Sequence, residues 1–117
     1  VIDADAVAVL TDMVGPGDLV GLRAYFPDPW PKARHHKRRL VQPAIRDLVR
    51  DRIATGGWWH LATDWEPYAA AMVECFGEDA RWVGGIVPRP SDRPTTRFER
   101  RALREGRTVT DLLYRYR

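Results

Sequence analysis

Helix-forming and strand-forming patterns alternate along this chain of 117 residues. The strand patterns are short apolar runs, whereas the helical patterns repeat apolar residues at intervals of three and four. In order, the predicted elements are a helix at 7–14, a strand at 19–26, a helix from Pro43 to a stop at Gly56-Gly57, a strand at 58–62, a helix capped by Thr63 or Asp64, a strand at 81–87, a helix at 96–105 and a strand at 109–116. This alternation predicts an α/β sheet with helices on its faces.

The chain has the size of one domain and the composition of a folded protein, with 44% hydrophobic residues and five tryptophans. Its single cysteine excludes an internal disulfide and a CxxC zinc pattern, and it favours the reducing cytoplasm. No apolar run approaches the roughly 20 residues that span a bilayer. Because the chain opens on Val1 within a structured pattern, we expect that an N-terminal part is missing.

An acidic turn is the first candidate site. The segment Phe26-Pro27-Asp28-Pro29-Trp30 fixes the backbone on both sides of one carboxylate with prolines. The simplest interpretation is a turn aspartate that accepts from nearby backbone N–H groups. The neighbouring tryptophan, however, offers a surface on which a base can stack, and a carboxylate can accept from a base edge. The turn therefore also fits a reacting centre for a nucleotide.

A cationic run, Arg34-His35-His36-Lys37-Arg38-Arg39, follows the turn. Taken alone, it fits a solvated charge run or a targeting tract. Because it joins a predicted strand to a predicted helix, its side chains are held near Asp28, which favours contact with phosphates. The chain has 17 arginines and 2 lysines, and guanidinium groups suit bidentate phosphate recognition. Adjacent histidines make a poor chelate, so we expect no metal here.

Two further segments follow predicted strands. Asp64 and Asp28 each come just after a strand, and ligands of open α/β sheets bind at the carboxyl ends of strands. We therefore expect the two aspartates to be neighbours, although Asp64 also fits a helix N-cap. Thr96 and Glu99 have the spacing of a capping box.

Three blocks together resemble the bacterial tRNA (guanine-N7-)-methyltransferase family: the acidic turn with the cationic run, then Thr-Asp-Trp-Glu-Pro-Tyr-Ala, then Arg-Pro-Thr-Thr-Arg-Phe-Glu-Arg. The resemblance implies the C-terminal portion of a Rossmann-like class I methyltransferase fold, with a mixed sheet and helices on both faces. It also implies a cytoplasmic enzyme that transfers a methyl group from S-adenosylmethionine to N7 of a guanine in the variable loop of tRNA, at position 46 in tRNA numbering.

The resemblance also implies roles for individual residues. Asp28 is the implied catalytic residue, and Asp5 and Asp28 are the implied cofactor contacts. The implied substrate-binding positions are Lys32, Asp64, Thr96, Arg97, Phe98 and Glu99. The implied RNA-binding positions are Arg34, His35, His36, Lys37, Arg38 and Arg39. Some members of the family carry asparagine at position 36, which weakens a role for that histidine.

The glycine-rich cofactor loop of the family has no counterpart in this sequence. We therefore expect residues 1–117 to form the C-terminal part of a single methyltransferase domain and to bind S-adenosylmethionine poorly alone. One alternative is a non-catalytic RNA-binding fragment without a complete cofactor site. Another is a nuclease in which Asp28, Asp64 and Glu99 hold magnesium.

Overall fold

A mixed four-stranded sheet forms the centre of the protein, for which the computed structural model describes residues 6–93 and 95–117. The strands are β1 (Leu19–Tyr25), β2 (Ile53–Thr63), β3 (Trp82–Val87) and β4 (Thr110–Tyr116). Their order in the sheet is β1-β2-β4-β3. Strands β1 and β2 are parallel, and β4 is antiparallel to both β2 and β3.

Four α-helices alternate with these strands, as the sequence predicts. They are α1 (Ala6–Asp12), α2 (Pro43–Arg52), α3 (Glu66–Gly77) and α4 (Arg97–Arg104). A 3₁₀ helix at Ala33–Arg38, called here the basic 3₁₀ helix, follows β1. In the described parts of the chain, no helix combines the length and the apolar character needed to cross a bilayer.

An aromatic core lies between one face of the sheet and α3. Trp59 of β2 and Tyr114 of β4 are paired across the two strands, and both contact Phe76 of α3. The rings of Phe76 and Tyr114 are stacked with their centroids 4.0 Å apart. All three side chains are buried, and burial of each contributes roughly 1.5–3 kcal/mol. This packing fixes α3 on that face.

The opposite face of the sheet carries polar residues. Because successive residues of a strand point to opposite faces, His60 and Asp111 lie opposite Trp59 and Leu112. Arg93, from the segment after β3, and Glu99, from α4, are joined to Asp111 on this face. Elements therefore cover both faces, and the predicted mixed α/β architecture is confirmed.

The predicted stop of α2 at Gly56-Gly57 is wrong. The helix ends at Arg52, and β2 begins at the next residue. Both glycines lie inside β2, where the partners of β1 change from Ile53 to Trp58 between Leu19 and Gly21. Like a β-bulge, this irregularity lets one strand accommodate extra residues, and glycine is frequent at such places.

The predicted cap of α3 is also wrong. Trp65 occupies the N-cap position, and no side chain caps the helix. Thr63 Oγ1 instead accepts from the backbone N–H of Trp65 at 3.2 Å. In contrast, the predicted cap of α4 is confirmed, because Thr96 Oγ1 accepts from the backbone N–H of Glu99 at 3.1 Å.

Gly84 and Gly85 give a matched test of strand packing. Both have positive φ, 151° and 152°. A Cβ atom on Gly84 would lie 2.0 Å from the carbonyl oxygen of Leu113, whereas one on Gly85 would meet nothing within 4 Å. Because backbone strain is common to both, we expect Gly84→Ala to lower the free energy of unfolding by about 1–3 kcal/mol more than Gly85→Ala. Urea unfolding measures the difference, and equal losses would contradict the clash.

Candidate functional site

Three connecting segments meet at one edge of the sheet. Because β1, β2 and β3 point the same way, their carboxyl ends lie together. The turn after β1 reaches α4 through Phe26 and Phe98, whose ring centroids are 5.0 Å apart. The segment after β2 reaches the residues before β4 through Asp64 and Arg107, with Oδ2 and Nε 2.8 Å apart. The structure thus brings the predicted turn, Asp64 and the start of α4 to the same edge.

Two strained residues enclose Asp28. Phe26 has φ 55° and Trp30 has φ 42°, values that are unusual for large side chains. Such conformations cost about 1–3 kcal/mol each and are concentrated at functional sites. The Asp28 side chain is exposed, and its Oδ1 accepts from the backbone N–H of Trp30 at 2.9 Å. Within residues 6–93 and 95–117 the carboxylate forms no ion pair, so its second oxygen is open to a ligand.

The ring of Trp30 is already in contact with neighbouring side chains. Arg38 Cζ lies 5.1 Å from its centroid, and the ring of His35 lies 5.6 Å away in an edge arrangement. Trp30 and His35 are both half-buried. These contacts hold the turn against the basic 3₁₀ helix and leave less of Trp30 for a base than the sequence predicts.

The predicted RNA-binding run forms the basic 3₁₀ helix and its first following residue. The exposed members of the run are Arg34, His36, Lys37 and Arg38. They form a cationic surface beside Asp28, as the sequence predicts. Arg39 differs, because only 6% of its surface is exposed.

The other predicted substrate positions surround the same edge. Lys32 is exposed at the N-cap of the basic 3₁₀ helix, and Arg97 is exposed at the first position of α4. Phe98 is 50% exposed although its ring contacts Phe26. The Asp64 side chain is 18% exposed and is paired with Arg107. Asp5 lies outside the described residues.

A buried ionic cluster, the Arg93 cluster, lies beneath this edge. Its members are Tyr25, His60, Arg93, Glu99 and Asp111. Arg93 donates to both oxygens of Glu99 at 2.7 and 2.8 Å, and to both oxygens of Asp111 at 2.7 and 2.8 Å. His60 Nε2 lies 2.8 Å from Asp111 Oδ2, and its Nδ1 lies 3.0 Å from the Tyr25 hydroxyl.

The cluster holds its charges by mutual hydrogen bonding. Arg93 is 1% exposed, and Glu99 and Asp111 are each 2% exposed. The hydrogen bonds to Glu99, and then those to Asp111, raise the pKa of Arg93 although burial acts in the opposite direction. Burial raises the pKa of Tyr25. The guanidinium therefore stays charged and keeps both carboxylates in place.

This cluster changes the interpretation of Glu99. Both of its oxygens accept hydrogen bonds from Arg93. The nuclease alternative had grouped this carboxylate with Asp28 and Asp64. Among the residues that the structure describes, no group of three acidic, histidine or cysteine side chains could hold a metal ion. The three carboxylates of the nuclease alternative are therefore not assembled as a metal site.

Sequence reasoning missed four members of the cluster. Tyr25, His60 and Asp111 lie in strands that were identified by their apolar residues, and Arg93 lies in the proline-rich segment after β3. A charged residue within an apolar strand is rarely buried unless it is paired. His60 and Asp111 could have been recognised by that criterion, whereas nothing in the sequence pairs them with Arg93.

The sequence of this chain matches a family of known proteins. Residues 1–112 match the family described as "Putative methyltransferase". The chain belongs to this methyltransferase family. Its mixed sheet with flanking helices agrees with the Rossmann-like fold of S-adenosylmethionine-dependent methyltransferases, as the sequence predicts.

Three curated relatives of this chain carry the name tRNA (guanine-N(7)-)-methyltransferase. A relative from Streptomyces coelicolor is 51% identical over 98% of this chain and 44% of its own length. One from Bordetella pertussis is 49% identical over 98% of this chain and 46% of its own length. One from Thiobacillus denitrificans is 48% identical over the whole chain and 53% of its own length. The chain thus spans about half the length of these relatives.

Loss of Arg93 should destabilise the protein strongly. Arg93→Met removes the main counter-charge of two buried carboxylates, since Arg89 approaches Glu99 only at 3.8 Å, and breaking a buried pair typically costs about 3–5 kcal/mol. We expect a loss of about that size in the free energy of unfolding, measured with urea. Arg101→Met is the control, because Arg101 pairs with Glu105 on the surface of α4, with 72% of its side chain exposed. Similar unfolding midpoints for the two variants would contradict a supporting role for the cluster.

Proposed function

We propose that this chain is the C-terminal part of a single tRNA (guanine-N7-)-methyltransferase domain and carries its catalytic edge. The observation that carries the proposal is the exposed Asp28 carboxylate, held in a strained turn beside the basic 3₁₀ helix. An oriented acidic group next to a cationic surface fits a base presented by a polyanion. The names of the relatives support guanine N7 in tRNA as the target.

Asp28 is proposed to bind the guanine edge. Guanine offers N1–H and an exocyclic amine as adjacent donors, a pair that adenine lacks, and a carboxylate can accept from both. Arg107 pairs with Asp64, and Arg93 binds both oxygens of Glu99, whereas Asp28 has an open oxygen. We therefore assign Asp28 the direct contact, with Asp64 and Glu99 shaping the edge around it. Lys32, Thr96, Arg97 and Phe98 complete the proposed substrate surface.

The reaction needs alignment more than proton transfer. S-adenosylmethionine supplies the methyl group when bound, and guanine N7 already has a lone pair, so no general base is required. Held in line with the methyl group, the base gains the rate advantage of proximity. Because positive charge develops on the purine, a fixed carboxylate such as Asp28 stabilises the transition state.

The residues described here fit part of a cofactor site. Asp28, whose open oxygen is assigned to the guanine, is proposed to lie beside the bound cofactor. Asp5, proposed to lie near the adenine, is outside the described residues. Contacts from residues beyond these two are needed for tight binding, which agrees with a chain that spans about half of its relatives.

The basic 3₁₀ helix is proposed to bind the tRNA backbone. Its exposed cations can release counterions from phosphates, which makes affinity fall with salt. Such binding does not need the cofactor. A second candidate function, non-catalytic RNA binding in the cytoplasm, is therefore favoured if the chain cannot hold S-adenosylmethionine.

An exchange of segments tests the catalytic proposal. The matching segment of the Streptomyces coelicolor relative is replaced by this chain, and methylation of tRNA is followed with labelled S-adenosylmethionine. Asp28→Asn should lower kcat by at least about 100-fold while tRNA affinity is kept, since removal of one electrostatic contact to a transition state has about that effect. Retained methylation would remove Asp28 from the active site.

Asp51→Asn is the matched control for this exchange. Asp51 is an exposed carboxylate near the end of α2, at the opposite edge of the sheet. We expect its replacement to leave methylation unchanged. A loss as large as that of Asp28→Asn would mean that the assay reports charge or folding and not the site.

Calorimetry on the 117-residue chain separates the two candidate functions. We expect weak binding of S-adenosylmethionine or none, together with salt-dependent binding of tRNA. Micromolar binding of the cofactor to the isolated chain would show that the described residues form a complete pocket and would contradict this expectation. Loss of tRNA binding would contradict both candidates.

A further inference from the structure

A groove separates the basic 3₁₀ helix from α3, on the side of the edge that follows Asp64. It consists of two adjoining clefts of about 370 and 360 Å³, each within the range of pockets that hold small ligands. Pro31, Trp65 and Pro67 line the first cleft, and His36, Arg39 and Glu74 line both. Nothing in the proposed catalytic site uses this groove.

Arg39 presents a prepared cation to the groove. Only 6% of the residue is exposed, its Nε donates to the carbonyl of Pro29 at 2.6 Å, and its Cζ lies 4.7 Å from the centroid of the Tyr68 ring. Among the described residues, neither Nη1 nor Nη2 of Arg39 has an acceptor, and the guanidinium forms no ion pair. A buried guanidinium with two open nitrogens is suited to a phosphate.

Neighbouring groups hold Arg39 in this position. The Gln42 side chain donates to the carbonyls of Lys37 and Arg39 at 2.7 and 2.6 Å, which fixes the backbone after the basic 3₁₀ helix. Tyr68 is fully buried, and its hydroxyl accepts from the backbone N–H of Val41 at 3.0 Å. Burial raises the pKa of Tyr68 to about 12, so the phenol remains neutral and does not compete for the guanidinium. Little rotamer freedom is then lost when a ligand binds.

Trp65 supplies an aromatic surface in the same cleft. Its side chain is 39% exposed, and it directly follows Asp64 at the proposed site. An exposed indole beside cations is the usual arrangement for stacking a base of a single-stranded nucleic acid. Glu74, on the wall of the groove, offers an acceptor for an amino group of that base.

We propose that this groove binds a nucleotide next to the target guanine, with its phosphate on Arg39 and its base stacked on Trp65. The inference rests on the proposed function for the choice of RNA as the ligand. In the proposed function, the basic 3₁₀ helix contacts only phosphates. The groove adds a site for one unstacked nucleotide beside that helix. Arg39 and Lys37 supply the positive charge of the groove wall, which also carries the carboxylates of Glu74 and Glu78, so the phosphate is assigned to Arg39 by its open guanidinium nitrogens and not by net charge.

Two probes and two positions test the groove. The probes are a single-stranded oligouridylate of about 12 nucleotides and an inorganic polyphosphate, which has the charge without the bases. Affinities of the 117-residue chain are measured by fluorescence anisotropy, with polyphosphate as a competitor.

Arg39→Gln should lower the affinity for both probes by about 10-fold and lower the slope of RNA affinity against salt by about 0.7. Trp65→Leu should lower the affinity for RNA by about 5-fold or more and leave the affinity for polyphosphate unchanged. Trp65→Phe should keep most of the affinity for RNA.

Arg81→Gln is the matched control for Arg39. Arg81 also lies over a tyrosine, with Cζ 4.7 Å from the ring centroid of Tyr116, and its Nε also donates to a carbonyl. Arg81 directly precedes β3 and does not line the groove, so its replacement should leave both affinities unchanged.

If Arg39→Gln does not fold, Arg39→Lys takes its place. It should still lower the affinity for both probes, because a lysine cannot bind a phosphate through two parallel hydrogen bonds as arginine does.

The outcomes distinguish this inference from the proposed function. Equal affinities for Arg39→Gln and Arg81→Gln, or a Trp65→Leu variant that changes both probes alike or neither, would overturn the groove while RNA binding by the chain stands. A wild-type chain that binds oligouridylate without salt dependence, or not at all, would overturn both.

Discussion

The Arg93 guanidinium connects the parts of this structure that meet at the edge proposed to be functional. It binds Glu99 on α4 and Asp111 on β4, and Asp111 continues through His60 on β2 to Tyr25 on β1. Three of the four strands and one helix thus share one set of buried hydrogen bonds. Because a buried charge without its partner is costly, these elements cannot move independently. The start of α4 is thereby held next to the turn that carries Asp28.

The Asp28 turn is stabilised in a different way. Its backbone is strained at Phe26 and Trp30, and the contacts around it offset that cost. The N–H of Phe26 donates to the carbonyl of Ala62 at 2.7 Å, and its ring packs on Phe98. Trp30 is held by Arg38 and His35. An exposed carboxylate therefore stays in one orientation without an ion pair to any described residue, which keeps it available for a ligand.

Periodicity predicted the order of elements, and strand direction predicted that Asp28 and Asp64 lie at one edge of the sheet. That the start of α4 joins them was implied only by the family resemblance. The sequence did not predict where charges pair. The two carboxylates that Arg93 binds lie in different elements, α4 and β4. In the sequence Arg39 cannot be distinguished from its exposed neighbours, and only the structure shows that it is buried. Gly56-Gly57 was misread because a bulge in a strand and a turn after a helix use the same residue. Pairing and burial are properties of the assembled sheet, which is why they required the structure.

The order β1-β2-β4-β3 places the last strand of the chain between two earlier ones. Among the described residues, β3 pairs only with β4, so β3 cannot join the sheet until β4 has been inserted. Such non-local pairing is slow to form during folding. We therefore expect the proposed edge, which includes Asp111 at the start of β4, to be among the last regions to form. A cut before Thr110 would detach two strands from the sheet and not one.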